Sequence, residues 1–266
     1  MTEQVPARSK PATTGVLIWV GIATGLMSGL LGVGGGIIMV PALVGIGLTR
    51  HRATASSLAA IMLIALAGAA AFALGGDVNL PTGIFLGLGG LLGSTLGAHW
   101  MNRLSGRSLA MIFGVVLLVA GIRRAIGGGA VEGGIGLAPL VSFALVQLVG
   151  VVTGLLSGLA GVGGGIVMIP AMVLLLGIDQ HTAEGTSLVA MLFTAAAGTR
   201  VNIANRHVDW RAVAVVGMTG AVVAPLTAGL AQRIPADTLG RIFGVFVVLN
   251  AIRTLWKSRQ PPGSQS

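Results

Sequence analysis

The sequence contains no cysteine, which excludes disulfides and thiolate metal sites and leaves the compartment open. It is also poor in charge. Only 9% of its 266 residues are Asp, Glu, Lys or Arg, against about a quarter in ordinary soluble domains. Alternating apolar and polar residues are missing as well, which argues against an outer-membrane barrel. The net charge of +9 points toward nucleic acid only superficially. The basic residues are scattered singly between apolar runs, with no basic stripe and no interleaved aromatics, so nucleic acid is not an expected partner.

What is present is apolar length. Hydrophobic residues make up 54% of the chain, and the runs 53–74 and 135–160 approach or exceed the roughly 20 residues that cross a bilayer core. The expected fold class is an all-α polytopic membrane protein, with the lipid bilayer as its main partner. Arg8 and Lys10 ahead of an apolar run imitate a secretory signal. The same apolar segment recurs inside the chain, where a signal peptide cannot be. Residues 1–14 are therefore expected to be a cytoplasmic polar tail, and residues 259–266 a second one.

The chain repeats itself. Residues 25–41 (GLMSGLLGVGGGIIMVP) match residues 154–170 (GLLSGLAGVGGGIVMIP) at 13 of 17 positions, with an offset of 154 − 25 = 129. After one inserted residue the offset is 130, and His51-Arg52-Ala53-Thr54-Ala55-Ser56-Ser57-Leu58 meets His181-Thr182-Ala183-Glu184-Gly185-Thr186-Ser187-Leu188. Val78, Arg103, Phe113 and Arg123 likewise meet Val208, Arg233, Phe243 and Arg253. This is duplication of a four-part unit: one repeat over 15–126, a Gly-rich joint at 127–134, and a second repeat over 135–258.

Each unit reads as a glycine-broken segment (15–47; 136–177) followed by three spans (53–74, 82–101, 108–125; 184–205, 212–231, 239–256). Whether the broken segment crosses twice or dips in and returns, each unit crosses an odd number of times. The two units are then inverted-topology repeats. With the N-terminus in the cytoplasm, the inner regions hold Arg8/Lys10, Arg50/Arg52, Arg103/Arg107, Arg206/Arg211 and Lys257/Arg259. The outer connections 75–81, 178–184 and 232–237 hold little positive charge apart from Arg233, while the pair Arg123/Arg124 beside the joint is an exception. The bias favours cytoplasmic N- and C-termini in the cytoplasmic membrane, with Trp19, Trp100, Trp210 and Trp256 near the inner interface.

A break in hydrocarbon frees backbone N–H and C=O groups, and each unpaired group costs several kcal/mol. Glycine permits left-handed dihedrals and close approach. Short helices restarting near Gly36 and Gly165 would point their first N–H groups and positive dipole ends into the gap. Two such N-termini meeting near the midplane make an anion site without a charged side chain, as in inverted-repeat transporters. The competing reading is close helix packing, which Gly25/Gly29, Gly32/Gly36, Gly93/Gly97 and Gly154/Gly158 also fit. A dinucleotide fingerprint is excluded, because Ile37 and Ile166 stand where its third glycine belongs.

The doubled GVGGG block with its following proline, then His-x-Ala-x-(Gly/Ala)-(Ser/Thr)-Ser-Leu, repeated, with Val208-Asp209-Trp210 in the second half, resembles the sulfite exporter TauE/SafE family of membrane transporters over about residues 15–256. The resemblance implies a secondary transporter of sulfite, organosulfonates or related small sulfur-containing anions. The first half departs from the pattern, with Val78-Asn79-Leu80 for Val208-Asp209-Trp210 and Ala55-Ser56 for Gly185-Thr186.

The expected substrate-binding residues are Gly34, Gly35, Gly36 and Ser57 in the first half and Gly163, Gly164, Gly165, Thr186 and Ser187 in the second. Serine hydroxyls can donate to an oxyanion, or bond back to their own helix, as they often do in membranes. Ser28, Ser56 and Ser157 also sit beside the breaks. Arg200, Asn202, Glu184, His51 and His181 are candidates for gating or for coupling to a proton or ion. Arg200 lies inside a span with Ala70 as its counterpart, so it is either a functional charge or a snorkelling anchor. His51 and His181 read as loop residues flanking helix starts, and Glu184 as a carboxylate opening a helix. Gly89 and Gly217, in ordinary spans, are expected to tolerate alanine. No catalytic residue, metal or cofactor is expected, since His99 and His207 fall at span ends and no nucleophile motif stands out. A passive anion channel and a carboxylate transporter are the rival functions.

Overall fold

The computed structural model describes residues 13–100, 122 and 139–259. The expected span 108–125 apart from residue 122, the joint 127–134, residues 1–12 and 260–266, and the arginines at 103, 107, 123 and 124 lie outside the described residues. Among those described there are nine helices and no strand: α1 (Thr14–Leu31), α2 (Gly36–Gly45), α3 (Arg50–Leu74), α4 (Leu80–Trp100), α5 (Pro139–Ala160), α6 (Gly165–Leu175), α7 (Gln180–Ala204), α8 (Trp210–Ala231) and α9 (Ala236–Arg259). Six of them are long and apolar enough to cross a membrane.

The broken segments each resolve into a long helix and a short one. The extra residue of the second half falls in the short helix, which has 10 residues in α2 and 11 in α6. Two helices start earlier than the apolar runs suggest, because polar caps precede those runs. Thr49 Oγ1 accepts from the Arg52 N–H at 3.4 Å, and Asp179 Oδ1 accepts from the Thr182 N–H at 3.1 Å. His51 and His181 accordingly stand in the first turns of α3 and α7 rather than in loops. Glu184 does not open a helix. It is buried in the second turn of α7.

Contacts between helices fix their relative directions. A Cβ on Gly21 would meet Thr219, one on Gly25 would lie 2.7 Å from the Gly220 carbonyl oxygen, and one on Gly29 would meet Thr227 and Ala224. The numbers climb together, so α1 and α8 run in the same sense. The repeat-related pair, α5 and α4, does the same through Gly89 with Gln147, Gly93 with Val151 and Gly97 with Gly158. At these two crossings the packing reading of the spaced glycines holds. Arg52 meets Asp209, Leu63 meets Gly217 and Gly68 faces Ala224, so α3 also runs with α8. Gly83 faces Val189 and Gly90 faces Thr194, so α4 runs with α7. Against each other, α3 and α7 run oppositely, with Gly68 at Leu188 and Gly198 at Leu58.

Two ends of the bundle follow. One gathers Thr14, Arg52, Asp209 and Arg211. The other gathers Asp77, Asn79, His181, Thr186, Gln232 and Ile234. Because α1 and α3 start at the same end, α2 must carry the chain back. The broken segment dips in and returns.

The surface is inverted relative to a soluble protein. Leu74, Leu226 and Val222 are 92%, 72% and 68% exposed, while Thr24, Ser28, Ser57, Ser187, Thr194 and Asn202 are fully buried. So broad an apolar surface suits hydrocarbon, not water. On α9, Leu239, Phe243, Val247 and Ala251 recur every fourth residue and are buried, one stripe of a helix, whereas Ile242, Val245 and Leu249 are exposed. Trp19, Trp210 and Trp256 are exposed near the Arg52 end.

Candidate anion site at the crossing of the two breaks

Helix α1 ends at Gly32 (φ 63°) and α5 at Gly161 (φ 71°). Their N–H groups donate to the carbonyls of Ser28 and Ser157 at 2.9 and 2.7 Å. Each chain then turns through two further left-handed glycines, Gly34 and Gly35 (φ 74° and 71°) and Gly163 and Gly164 (φ 87° and 93°). A side chain at any of these would cost roughly 1–2 kcal/mol. The short helices begin immediately afterwards. Their first backbone bonds run from Ile38 and Met39 to the Gly35 carbonyl, and from Val167 and Met168 to the Gly164 carbonyl. Among the described residues, no acceptor meets the N–H of Gly34, Gly35 or Gly36, or of Gly163, Gly164 or Gly165.

The breaks touch backbone to backbone. A Cβ on Gly36 would lie 2.7 Å from Val162 Cα, and one on Gly165 would lie 2.7 Å from the Gly32 carbonyl oxygen and 3.0 Å from Val33 Cα. Helix α2 reaches this point from the Arg52 end and α6 from the other end, so two positive helix termini converge. Such a convergence is repulsive unless negative charge lies between them. All six glycines expected at the site are brought together here.

Each half is tied to the break of the other. Ser57 Oγ on α3 donates to the Gly161 carbonyl at 2.7 Å, and Ser187 Oγ on α7 donates to the Gly32 carbonyl at 2.7 Å. Ser187 Oγ also lies 2.7 Å from its own helix carbonyl at Glu184. A hydroxyl has one proton, so in this conformation both serines hold carbonyls. Thr24 and Thr153 pack against Gly35 and Gly164, and their hydroxyls donate back to Val20 and Val149 at 2.8 and 2.7 Å. One turn further along the same stripes, Ser28 and Ser157 are buried with hydroxyls that find no partner among the described residues. A buried polar atom left unpaired is costly and asks for a ligand or water.

Thr186 turns away from the break. Its Oγ1 accepts from the Asn79 N–H at 2.9 Å, and the counterpart Ser56 accepts from the Asp209 N–H at 2.8 Å. These repeat-related bonds lie at opposite ends of the bundle. Asn79 and Asp209 also cap the following helices alike, accepting from the N–H of Thr82 and Ala212 at 3.1 Å. The departure of Asn79 from the repeat pattern therefore keeps the cap. It gives up the ion pair, since only Asp209 meets an arginine, Arg52 at 3.1 Å. That pair is partly solvated and adds little stability.

The gating candidates are dispersed. Arg200 is exposed near the Arg52 end and makes no hydrogen bond or ion pair among the described residues, the placement of a snorkelling anchor. Asn202 is buried, and its Nδ2 donates to the Gly198 carbonyl at 2.8 Å. Glu184 backs onto Gly32, and its Oε1 accepts from Gln180 Nε2 at 2.7 Å. The His51 ring lies 5.8 Å from that of His207. His181 Nε2 is 3.2 and 3.0 Å from the carbonyls of Ala231 and Ile234, which makes that nitrogen the protonated one. The sequence reading missed Ile61 and Met191, which are fully buried between the breaks. Apolar side chains carry no chemical flag. Their equivalence in the repeat, 61 + 130 = 191, was the available signal.

The chain resembles known proteins along most of its length. The family model described as sulfite exporter TauE/SafE matches residues 2–124 and 146–266. A probable membrane transporter protein of Xylella fastidiosa strain 9a5c is 32% identical over 253 residues, covering 91% of this chain and 95% of that protein. The probable membrane transporter protein YunE of Bacillus subtilis is 23% identical over 272 residues, covering 91% and 97%. No solved structure matches. With paired glycine breaks in an all-helical, membrane-spanning frame and a match to both halves, the chain belongs to the sulfite exporter TauE/SafE family of membrane transporters.

Proposed function

We propose that this transporter moves sulfite, an organosulfonate or a related small sulfur-containing anion across the cytoplasmic membrane by alternating access, and has no enzymatic activity. The observation that carries the reading is the meeting of two helix N-termini with six unengaged glycine N–H groups. An oxyanion leaving water needs replacement donors, and convergent amides supply them at the positive ends of two dipoles. Ser28 and Ser157, buried beside the breaks without partners among the described residues, are further donors. The family description supplies the sulfur chemistry. The opposed directions of α3 and α7 support inverted-topology repeats, and a repeat-related bond at each end suits a carrier that opens one side at a time.

Purified protein should gain thermal stability with sulfite or organosulfonates, and proteoliposomes should show saturable, counter-gradient movement of the same anion. Stabilisation by carboxylates alone would reject the sulfur reading. Unsaturable conduction would reject the carrier.

The end holding Arg50, Arg52, Arg206 and Arg211 is assigned to the cytoplasm, against Arg233 and Arg241, the latter exposed in the second turn of α9, toward the opposite end. Arg206 holds φ 56°, where its counterpart Gly76 holds 84°. A charge is thus kept at a position glycine fills more cheaply. Single cysteines at positions 79 and 208, in this cysteine-free background, should label from opposite sides, 79 from outside. Labelling of both from one side would overturn the arrangement.

A further inference from the structure

Where the two breaks cross, the space beside their glycines is filled by hydrocarbon and sulfur. A Cβ on Gly34 would lie 2.7 Å from Met191 Sδ and 3.4 Å from Ile61 Cγ2, and one on Gly163 would lie 2.7 Å from Met191 Sδ and 3.4 Å from Ile61 Cδ1. A Cβ on Gly165 would lie 2.7 Å from Met191 Cε. One side chain therefore covers glycines of both breaks, and both Met191 and Ile61 are fully buried. An anion bound at this crossing would share its space with Met191.

We propose that Met191 is a displaceable plug that covers the empty anion site, and that the size and stiffness of residue 191 set the affinity and the largest anion admitted. This rests on the anion-site reading above. Repeat symmetry places Ile61 opposite, but the two side chains differ in freedom. Methionine is unbranched, with three rotatable bonds and a soft thioether, and can re-pack without moving its backbone. Isoleucine is branched at Cβ and held in one χ1 rotamer within a helix. Met191 is therefore the moving part and Ile61 the fixed wall. Sulfur is only a weak acceptor, so it shields the converging amides from water while yielding to an oxyanion that bonds them fully.

The test uses the full-length purified protein with sulfite and with the bulkier benzenesulfonate as probes. Met191→Ala removes the plug, so sulfite should bind about tenfold tighter and benzenesulfonate should begin to stabilise the protein. Met191→Ile makes the pair symmetric and stiff, and sulfite binding should weaken at least tenfold. Because either variant can disturb a packed core, the native protein carrying 13C-methyl methionine supplies a second readout. The methyl resonance that Met191→Ala deletes should shift with added sulfite. Sulfite affinities within twofold of native in both variants, with that resonance unmoved, would overturn the plug and leave the anion site standing. Absence of sulfite and sulfonate binding by the native protein and by Met191→Ala alike would overturn the site itself, and the plug with it.

Discussion

Replacing Gly164 with alanine should abolish sulfite-dependent stabilisation in a protein that still inserts and folds. Gly164 holds φ 93°, and a Cβ there would lie 3.2 Å from the Thr153 carbonyl oxygen and 3.3 Å from Met168 Cε. The contacts are tight but adjustable. The dihedral is not, and costs roughly 1–2 kcal/mol with a side chain attached. Relief of that strain by rotation of the flanking peptides should turn the N–H groups of Gly164 and Gly165 away from a bound anion. Gly35→Ala should have the same effect on binding and a larger one on stability, because its Cβ would lie 2.6 Å from the Thr24 carbonyl oxygen and 2.8 Å from Thr24 Cβ. The comparison residue is Gly229, inside α8, where an added Cβ meets nothing within 4 Å among the described residues; Gly229→Ala should bind sulfite normally. Sulfite-induced thermal shifts of the three variants decide the matter. Full stabilisation of Gly164→Ala by sulfite would remove the backbone amides from the mechanism and leave the glycines as packing residues.

The choice of Gly229 shows what the sequence could and could not convey. Gly89 and Gly217 look alike in the sequence, each a glycine in an apolar span. In the fold, a Cβ on Gly217 would press on the flexible tip of Leu63, while one on Gly89 would lie 2.7 Å from the Gln147 carbonyl oxygen where α4 crosses α5. Gly89 is thus a packing residue and not a tolerant one. Which backbone a glycine faces depends on a partner some sixty residues away, and hydropathy contains no such information.

The helices themselves were legible because a bilayer imposes length and apolarity on every span. The breaks were legible because glycine clusters are so costly there that only a covered site tolerates them. Arg52 and Arg211, which the arginine distribution assigns to one side, lie at one end of the bundle. Helix starts were less legible, since Thr49 and Asp179 act through single capping oxygens that a hydropathy window averages away. The roles of neighbouring hydroxyls were not legible at all. Thr186 and Ser187 are adjacent, but successive residues on a helix point in different directions, so one reaches Asn79 and the other Gly32.

Ser57→Ala and Ser187→Ala should each lower the stability of the anion-free protein, by about 1–3 kcal/mol for every buried carbonyl left without its donor. The carbonyls concerned, Gly161 and Gly32, belong to the opposite half of the chain, 104 and 155 residues away. Each serine therefore pins the partner break against the helix that faces it. Two pins hold one crossing, so their loss should be coupled: once the first is gone the crossing loosens, and the second removal costs less than it does alone. The double variant should fall short of the sum of the singles. A substrate-ligand role predicts a different pattern, in which anion-free stability is unchanged and only the sulfite-induced increment disappears. The structure favours the first pattern, because each hydroxyl proton already has a carbonyl to bond and a bound anion would have to outbid it. Thermal unfolding of the four proteins, with and without sulfite, separates the two. Native anion-free stability in both single variants, combined with loss of the sulfite increment, would turn the serines from ties into ligands.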